Sequence, residues 1–328
     1  MERRNFLRLA GSLPAISFYR LYSASAQTAW PSRAMTIVVG LAPGGQADIA
    51  ARPVALGLSK ALGQSVIVDN RTGASGAIAA ASVLRSEPDA HTMLMALSAA
   101  VVLPEAERVA GRKPLYEMSD FAAVARILAD PNLLAVSAAS PYASLKDLVD
   151  DARKRPGEIP YSSSGNFGGI HISMEMFCQS AGIKLQHVPY RGGAPALTGL
   201  MAGDVAVTAL GAAPLKGYSD ARKLRVLATF GSERHPAFPD APTFREAGFP
   251  DVVFYAWAGL FVPKSVPETL MTRLRQAVRE VMTDRETLDI FTKSGSPPAY
   301  LDAPEFAAYI AEDSVRLAKT VQKIGKLE

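Results

Sequence analysis

The chain has 328 residues, of which 48% are hydrophobic and 20% charged, with a formal net charge of +4. That balance excludes a disordered chain, and the length suffices for two domains with separate cores. The first 26 residues hold four arginines and one glutamate, so the remainder carries only about +1 and has no basic block with interleaved aromatics to serve a nucleic acid.

The first element in chain order has the layout of an export signal. Arg3 and Arg4 precede Phe6-Leu7, a weakly apolar segment follows, and Ala24-Ser25-Ala26 forms a small-x-small site ahead of Gln27. Pro14 and Arg20 interrupt the apolar segment, which suits a twin-arginine signal over residues 1–26, cleaved near Ala26. No apolar run there approaches the ~20 residues that a membrane span needs. The single cysteine, Cys178, cannot form an internal disulfide; among Met174, Met176 and Phe177 it reads as a small core residue.

The next stretch, Thr36–Arg52, organises the rest. Ile37, Val38 and Val39 favour a strand, Pro43-Gly44-Gly45 ends it, and a helical pattern starts near Asp48. Paired glycines let a ligand approach the backbone, and free N–H groups at a helix start favour an anion, so a small carboxylate is expected there. An ordinary tight turn accounts for the same residues. Asp48 is either a cap for the helix start or a group that orients a ligand or water.

Beyond it, β-rich runs alternate with helical patterns. Strands are expected at Met35–Gly40, Ser65–Asp69, Thr92–Ala96, Leu133–Val136, Ile159–Ser162, Leu185–Val188, Val205–Ala209, Leu224–Ala228 and Val253–Val262. Helices are expected at Asp48–Leu62, Ser75–Ser86, Leu145–Lys154, Ile170–Ala181, Ala194–Met201, Pro267–Thr283 and Ala303–Lys323, the last with Phe306, Ile310 and Val315 in the core. This alternation indicates an α/β architecture, in which ligands sit at the carboxyl ends of strands. Ser144 and Asp147 can form a capping box, and Pro156-Gly157 ends that helix.

A second glycine-rich loop, Ser162–His171, also links a strand to a helix and adds three hydroxyls. It lacks the lysine of a P-loop, and no G-x-G-x-x-G follows a strand, so nucleotide binding is disfavoured. Smaller elements of similar character are Thr72–Gly76 and Ala96-Leu97-Ser98. There is no H-E-x-x-H, C-x-x-C or G-x-S-x-G, and His91, His171, His187 and His235 show no metal-ligand spacing. Only His171 falls near an expected pocket, where a structural role is an equal alternative.

Seven motifs then occur in order: the twin-arginine-like leader, L-A-P-G-G-Q-A-D-I-A-A-R (Leu41–Arg52), V-D-N-R-T-G-A-S-G (Val68–Gly76), S-S-S-G-N-F-G-G-I-H (Ser162–His171), H-V-P-Y-R-G-G-A-P-A-L (His187–Leu197), F-P-D-A-P-T-F-R-E-A-G-F (Phe238–Phe249) and W-A-G-L-F-V-P (Trp257–Pro263). The chain resembles the Bug (TctC-like) family of solute receptors for tripartite tricarboxylate transporters over essentially its whole length after the leader.

The resemblance implies a periplasmic, two-lobed type II binding protein with a mixed, mainly parallel sheet in each lobe and a ligand cleft between them. It implies no catalytic activity, no metal and no cofactor. Lobe one would be residues 30–130 and 258–328, and lobe two 131–257. Leu133–Val136 and Tyr255–Leu260 would be the crossing strands of a hinge, with Trp257 a reporter of closure. Carried over by position, ligand contacts are Leu41, Pro43, Gly44, Gly45, Asp48 and Ser98 from the first lobe. The second offers Ser163, Ser164, Gly165, Asn166 and Gly168, with His171 just behind.

Expected partners are a small organic carboxylate and the membrane components of the transporter, with the receptor itself a monomer. The chain departs from the family pattern at Ser98–Pro104, which has fewer hydroxyls, and at Thr208–Ala213, which lacks an acidic residue. Both departures make the cleft more apolar and point to a ligand less polar than citrate, aromatic or longer aliphatic. The rivals are an exported hydrolase using Ser98 or Ser164 with His171, and a ligand sensor for a membrane histidine kinase.

Overall fold

The computed structural model describes residues 30–296 and 298–327, so the expected export signal lies outside the described residues. Residues from Pro31 onward form one compact unit built on two sheets. The six-stranded sheet contains β1 (Met35–Val39), β2 (Val66–Asn70), β3 (Thr92–Leu97), β4 (Phe121–Pro131), β10 (Tyr255–Pro263) and the short β11 (Leu301–Asp302), in the order β11-β4-β10-β3-β1-β2. The five-stranded sheet contains β5 (Leu133–Ser137), β6 (Pro160–Ser163), β7 (Gln186–Pro189), β8 (Val207–Leu210) and β9 (Leu224–Thr229), in the order β7-β6-β8-β5-β9.

Both sheets are mixed, and the reason lies in the crossings. The chain leaves the first sheet at the end of β4, turns through Asn132 and begins β5 at once in the second. A strand entered from the end where its parallel neighbours finish must run against them, and β5 pairs antiparallel with both β8 and β9. The return at Tyr255 does the same, with β10 antiparallel to β3 and β4. Residues 255–257 therefore pair within the first sheet.

Helices cover the sheets. In the first half they are α1 (Gln46–Leu62), α2 (Ala77–Leu84), α3 (Leu103–Val109), α4 (Leu145–Lys154) and α5 (Gly169–Ala181). In the second they are α6 (Gly193–Ala202), α7 (Ala212–Asp220), α8 (Glu268–Thr283), α9 (Arg285–Ser294) and α10 (Ala303–Ile324). Ser144 and Asp147 form the capping box of α4 as the sequence suggests, and Asp284 caps α9, a helix not expected from the sequence. None of the described helices is long and apolar enough to cross a membrane.

Two sequence expectations are corrected here. Val315 is 61% exposed. It lies nine residues after the buried Phe306, about 180° round the helix, and the inner face of α10 is completed by Asp313, Leu317, Thr320 and Val321. Trp257, expected to fall in the second lobe, pairs within the first sheet in β10, opposite Ala129. It is fully buried in the first lobe, its indole N–H donates to Asp313 at 2.7 Å, and its ring packs edge-on against Phe306. Cys178 is buried in the core, and burial pushes its thiol well above the ordinary range.

The junction between lobes is tied by Asp130 at the end of β4. Its carboxylate accepts the Ala212 N–H at the start of α7 (2.9 Å), the Ser296 hydroxyl (2.6 Å) and the His235 Nε2–H (2.9 Å). His235 Nδ1 accepts the Ala237 N–H, which places the ring proton on Nε2. Asp130→Ala leaves three buried donors unpaired, and a loss of at least about 3 kcal/mol is expected in urea unfolding.

A tight contact fixes α1 on α8: a Cβ on Gly57 would lie 2.5 Å from Val281 Cγ1. Gly57→Ala should therefore destabilise by about 1–3 kcal/mol despite the better helix propensity of alanine. Adding Val281→Ala should recover part of the loss in a double-mutant cycle.

Candidate functional site

The carboxyl ends of the parallel strands in the two sheets face one another, and the loops they lead into close on each other. The Ala42 N–H donates to the Arg191 carbonyl (3.3 Å), and the Ser75 hydroxyl donates to the Asn166 carbonyl (2.7 Å). Behind these bridges lie two connected chambers that share Leu41, Leu97, Ser164 and Gly169. One, a cavity of about 30 Å³, is also lined by Gln46, Ser98, Asn132, Ile170, Gly193, Leu210, Gly211 and Ala256. The other, also of about 30 Å³, runs along Ala47, Gly76, Ala80, Leu94, Met95, Ala96, Ala99 and Ala100. No Asp, Glu, Lys, Arg or His of the described residues lines either chamber.

Three helices begin at the first chamber. The N-caps of α1, α5 and α6 are Gly45, Gly168 and Gly192, and none has a side-chain cap. Helix α7 also starts there after Gly211, but Asp130 and Ser296 occupy its first two N–H groups. Helices α4, α9 and α10, which start away from the cleft, are capped by Ser144, Asp284 and Asp302. Uncapped N–H groups and helix dipoles converging on one enclosed space select an acceptor of negative charge. The Ser98 hydroxyl in the same chamber is fully buried and has no hydrogen-bond partner in the structure.

The sequence-expected residues fall into three groups. Leu41, Ser98, Ser164 and Gly168 line the chambers, while Gly165 and Asn166 line the outer mouth with Arg112 and Arg191. Pro43, Gly44 and Gly45 stand at the seam between lobes, with Gly44 against Ala194 and Gly45 against the backbone of Gly193. Asp48, Ser163 and His171 are not among the residues that line either chamber, and His171 lies behind the loop as expected.

Each of those three supports a loop. Asp48 accepts the Gly44 N–H and a two-pronged ion pair from Arg52. Burial by itself would raise its pKa, but Arg52, Gly44 and Asn70 together hold the carboxyl below the usual range. The Ser163 hydroxyl lies 2.6 Å from His187 Nε2 and accepts the Gly165 N–H. His171 Nδ1 accepts the Phe167 N–H at 3.0 Å, and its ring stacks on His187 with centroids 4.0 Å apart. The imidazole pair is thus the floor beneath the Ser164–Gly168 loop.

Sequence reasoning did not single out Gln46 and Gly193 at helix starts, whereas Ala99, Ala100 and Gly211 lie in the two segments, Ser98–Pro104 and Thr208–Ala213, that were expected to make the cleft more apolar. Arg191-Gly192-Gly193, after a strand and before a helix, carried the same sign as the other two glycine loops. Nothing local marked Gln46.

Comparison with known proteins agrees with this geometry. Residues 50–326 match the model of the tripartite tricarboxylate transporter family receptors. A protein from the tcbD–tcbE intergenic region of Pseudomonas sp. strain P51 is 33% identical over 282 residues, 84% of this chain and 83% of that one. A periplasmic transporter of solved structure superposes with a TM-score of 0.86 at 33% identity, covering 92% of this chain and 100% of the other. An R. palustris protein solved with adipate does so with a TM-score of 0.81 at 31% identity, covering 89% and 98%.

The histidine pair gives the protein a predictable response to acid. Burial and the neighbouring His187 push His171 down to about 3, and burial pushes His187 down to about 4, from an ordinary value of 6.5. Between those limits the unfolded chain binds more protons than the folded one, so stability is full above about pH 6.5 and falls as pH drops towards 4 and 3. The urea midpoint should decline over that window, and less steeply in His187→Gln.

Proposed function

The chain belongs to the tripartite tricarboxylate transporter receptor family, and from that premise we propose that it is a periplasmic receptor which captures one small organic carboxylate. It closes its two lobes on that ligand and presents it, as a monomer, to the membrane components of a transporter of this kind. The observation that carries the reading is the chamber where three uncapped, glycine-led helix starts and the hydroxyl of an unpartnered serine converge, with no charged side chain in its lining. Such a site neutralises an anion with backbone dipoles and leaves it chemically intact.

The lobes in this reading are residues 31–131 with 255–327 and residues 133–254, since Phe244 and Phe249 pack on Phe177 of the second lobe, with the crossings at Asn132 and just before Tyr255. Export through the twin-arginine-like leader delivers the protein to the periplasm. The relative solved with adipate, an aliphatic dicarboxylate, gives the size class. The alanine- and leucine-lined second chamber favours an aromatic or longer aliphatic acid over citrate. A hydrolase is the weaker reading, because His171, the base it needs, accepts the Phe167 N–H and stacks on His187.

A thermal-shift screen of residues 27–328 against mono-, di- and tricarboxylates, aromatic acids, amino acids and sugars tests the proposal. A ligand that binds only the folded state at ~100 times its Kd adds about 2.7 kcal/mol. Stabilisation by a carboxylate recovered unchanged is the expected result. A shift from sugars or cations alone would overturn it, as would turnover of the bound acid.

A further inference from the structure

Building on the carboxylate-receptor reading, we infer that the ligand carries a single charged head: its carboxylate sits in the Ser98 chamber, and an uncharged hydrocarbon or aromatic tail fills the neighbouring chamber. The substrate class is a monocarboxylic acid. The two chambers differ in the one property that matters to a carboxylate, the supply of free donors.

In the Ser98 chamber the starts of α1, α5 and α6 lack side-chain caps, and the buried Ser98 hydroxyl has no partner. Ser98 Oγ faces Gly169 of the opposite lobe, since a Cβ built there would be 3.8 Å from it. A head group held at this point touches both lobes and so rewards closure. The Asp130 carboxylate lies behind Gly211, but it is already engaged by the Ala212 N–H, the Ser296 hydroxyl and His235.

The second chamber has fewer free donors. It touches the starts of α1 and α5 through Ala47, Gly168 and Gly169 but neither the α6 start nor Ser98; the rest of its wall includes Leu94, Ala96, Ala99, Ala100 and Ala80, and its only side-chain hydroxyls are Ser75 and the shared Ser164. The Ser75 hydroxyl already donates its hydrogen bond to the Asn166 carbonyl. Helix α2 starts at this chamber, but the preceding 3₁₀ turn takes the N–H groups of Gly76 and Ala77. A second carboxylate here would lose its water while gaining fewer donors than in the Ser98 chamber, whereas a hydrocarbon tail gains from each CH₂ it buries.

Hexanoate and adipate form a matched pair, equal in chain length and different by one carboxylate. Isothermal titration of residues 27–328 at pH 7.5 should give hexanoate or benzoate at least a tenfold lower Kd than adipate, malate or citrate. Hexanol should not bind detectably. Ser98→Ala should weaken hexanoate roughly 10- to 100-fold with an unchanged urea midpoint, the range for a hydrogen bond to a charged group. Ala99→Ser, which keeps the head site and adds a donor beside the tail, should narrow the gap between adipate and hexanoate.

Adipate, malate or citrate binding as tightly as the monoacids would overturn the single-head inference while leaving the carboxylate receptor intact. An Arg191→Ala variant that lost only adipate would also overturn it, by placing a second head at the mouth. Binding confined to sugars or cations would instead overturn the receptor reading beneath it.

Discussion

Asp130 is the interaction through which the two halves of this protein hold their relation. It stands at the last turn of the first sheet before the chain crosses, and its oxygens reach a helix start in the other lobe, the connecting segment at His235 and the loop at Ser296. A buried carboxylate is costly to dehydrate, and donors from three separate segments offset that cost only when all are assembled. The hub therefore specifies one arrangement of the junction. It also removes α7 from the set of helix starts open to a ligand.

What remains open is then a matter of omission. At α4, α9 and α10 a Ser or Asp side chain closes the helix N-terminus; around the first chamber α1, α5 and α6 start at glycine, which has nothing to close it with. Closed lobes exclude water from these N–H groups, which strengthens their pull on an anion and makes leaving them unmatched unfavourable. The polar side chains nearby are turned to another task. Asp48, Ser163, His171 and His187 hold the loops in shape from behind, so the binding surface itself is backbone, hydroxyl and methyl group. Such a surface recognises a head by dipoles and a tail by volume.

Much of the fold was legible because its signals are local. Val and Ile runs, capping boxes and Pro-Gly stops put most strands and helices within one or two residues of their places, and α4 at Leu145–Lys154 without error. Strand β4 was missed for a local reason too. Phe121–Pro131 mixes alanine, leucine and arginine, which favour helices, and two register shifts against β10 break the alternation of buried and exposed positions. Helix α7 was hidden by the proline and glycine in Ala212–Asp220.

By itself the sequence determined the α/β alternation, the glycine loops at Pro43–Gly45 and Gly165–Gly169, the near-neutral charge after the leader and the family that these motifs resemble. All of these rest on residues close together in the chain, where propensity and spacing act directly. Only the tertiary structure decided which helix starts share a chamber, that Asp48 and His171 face inward as supports, that Trp257 is locked in one lobe, and that the cleft divides into a donor-rich and an apolar half. Those outcomes depend on packing between segments far apart in the chain, such as Gln46 against Gly211 and, 210 residues from Gln46, the Ala256 carbonyl. The direction of a side chain there is set by what the fold places opposite it, and no local periodicity records that.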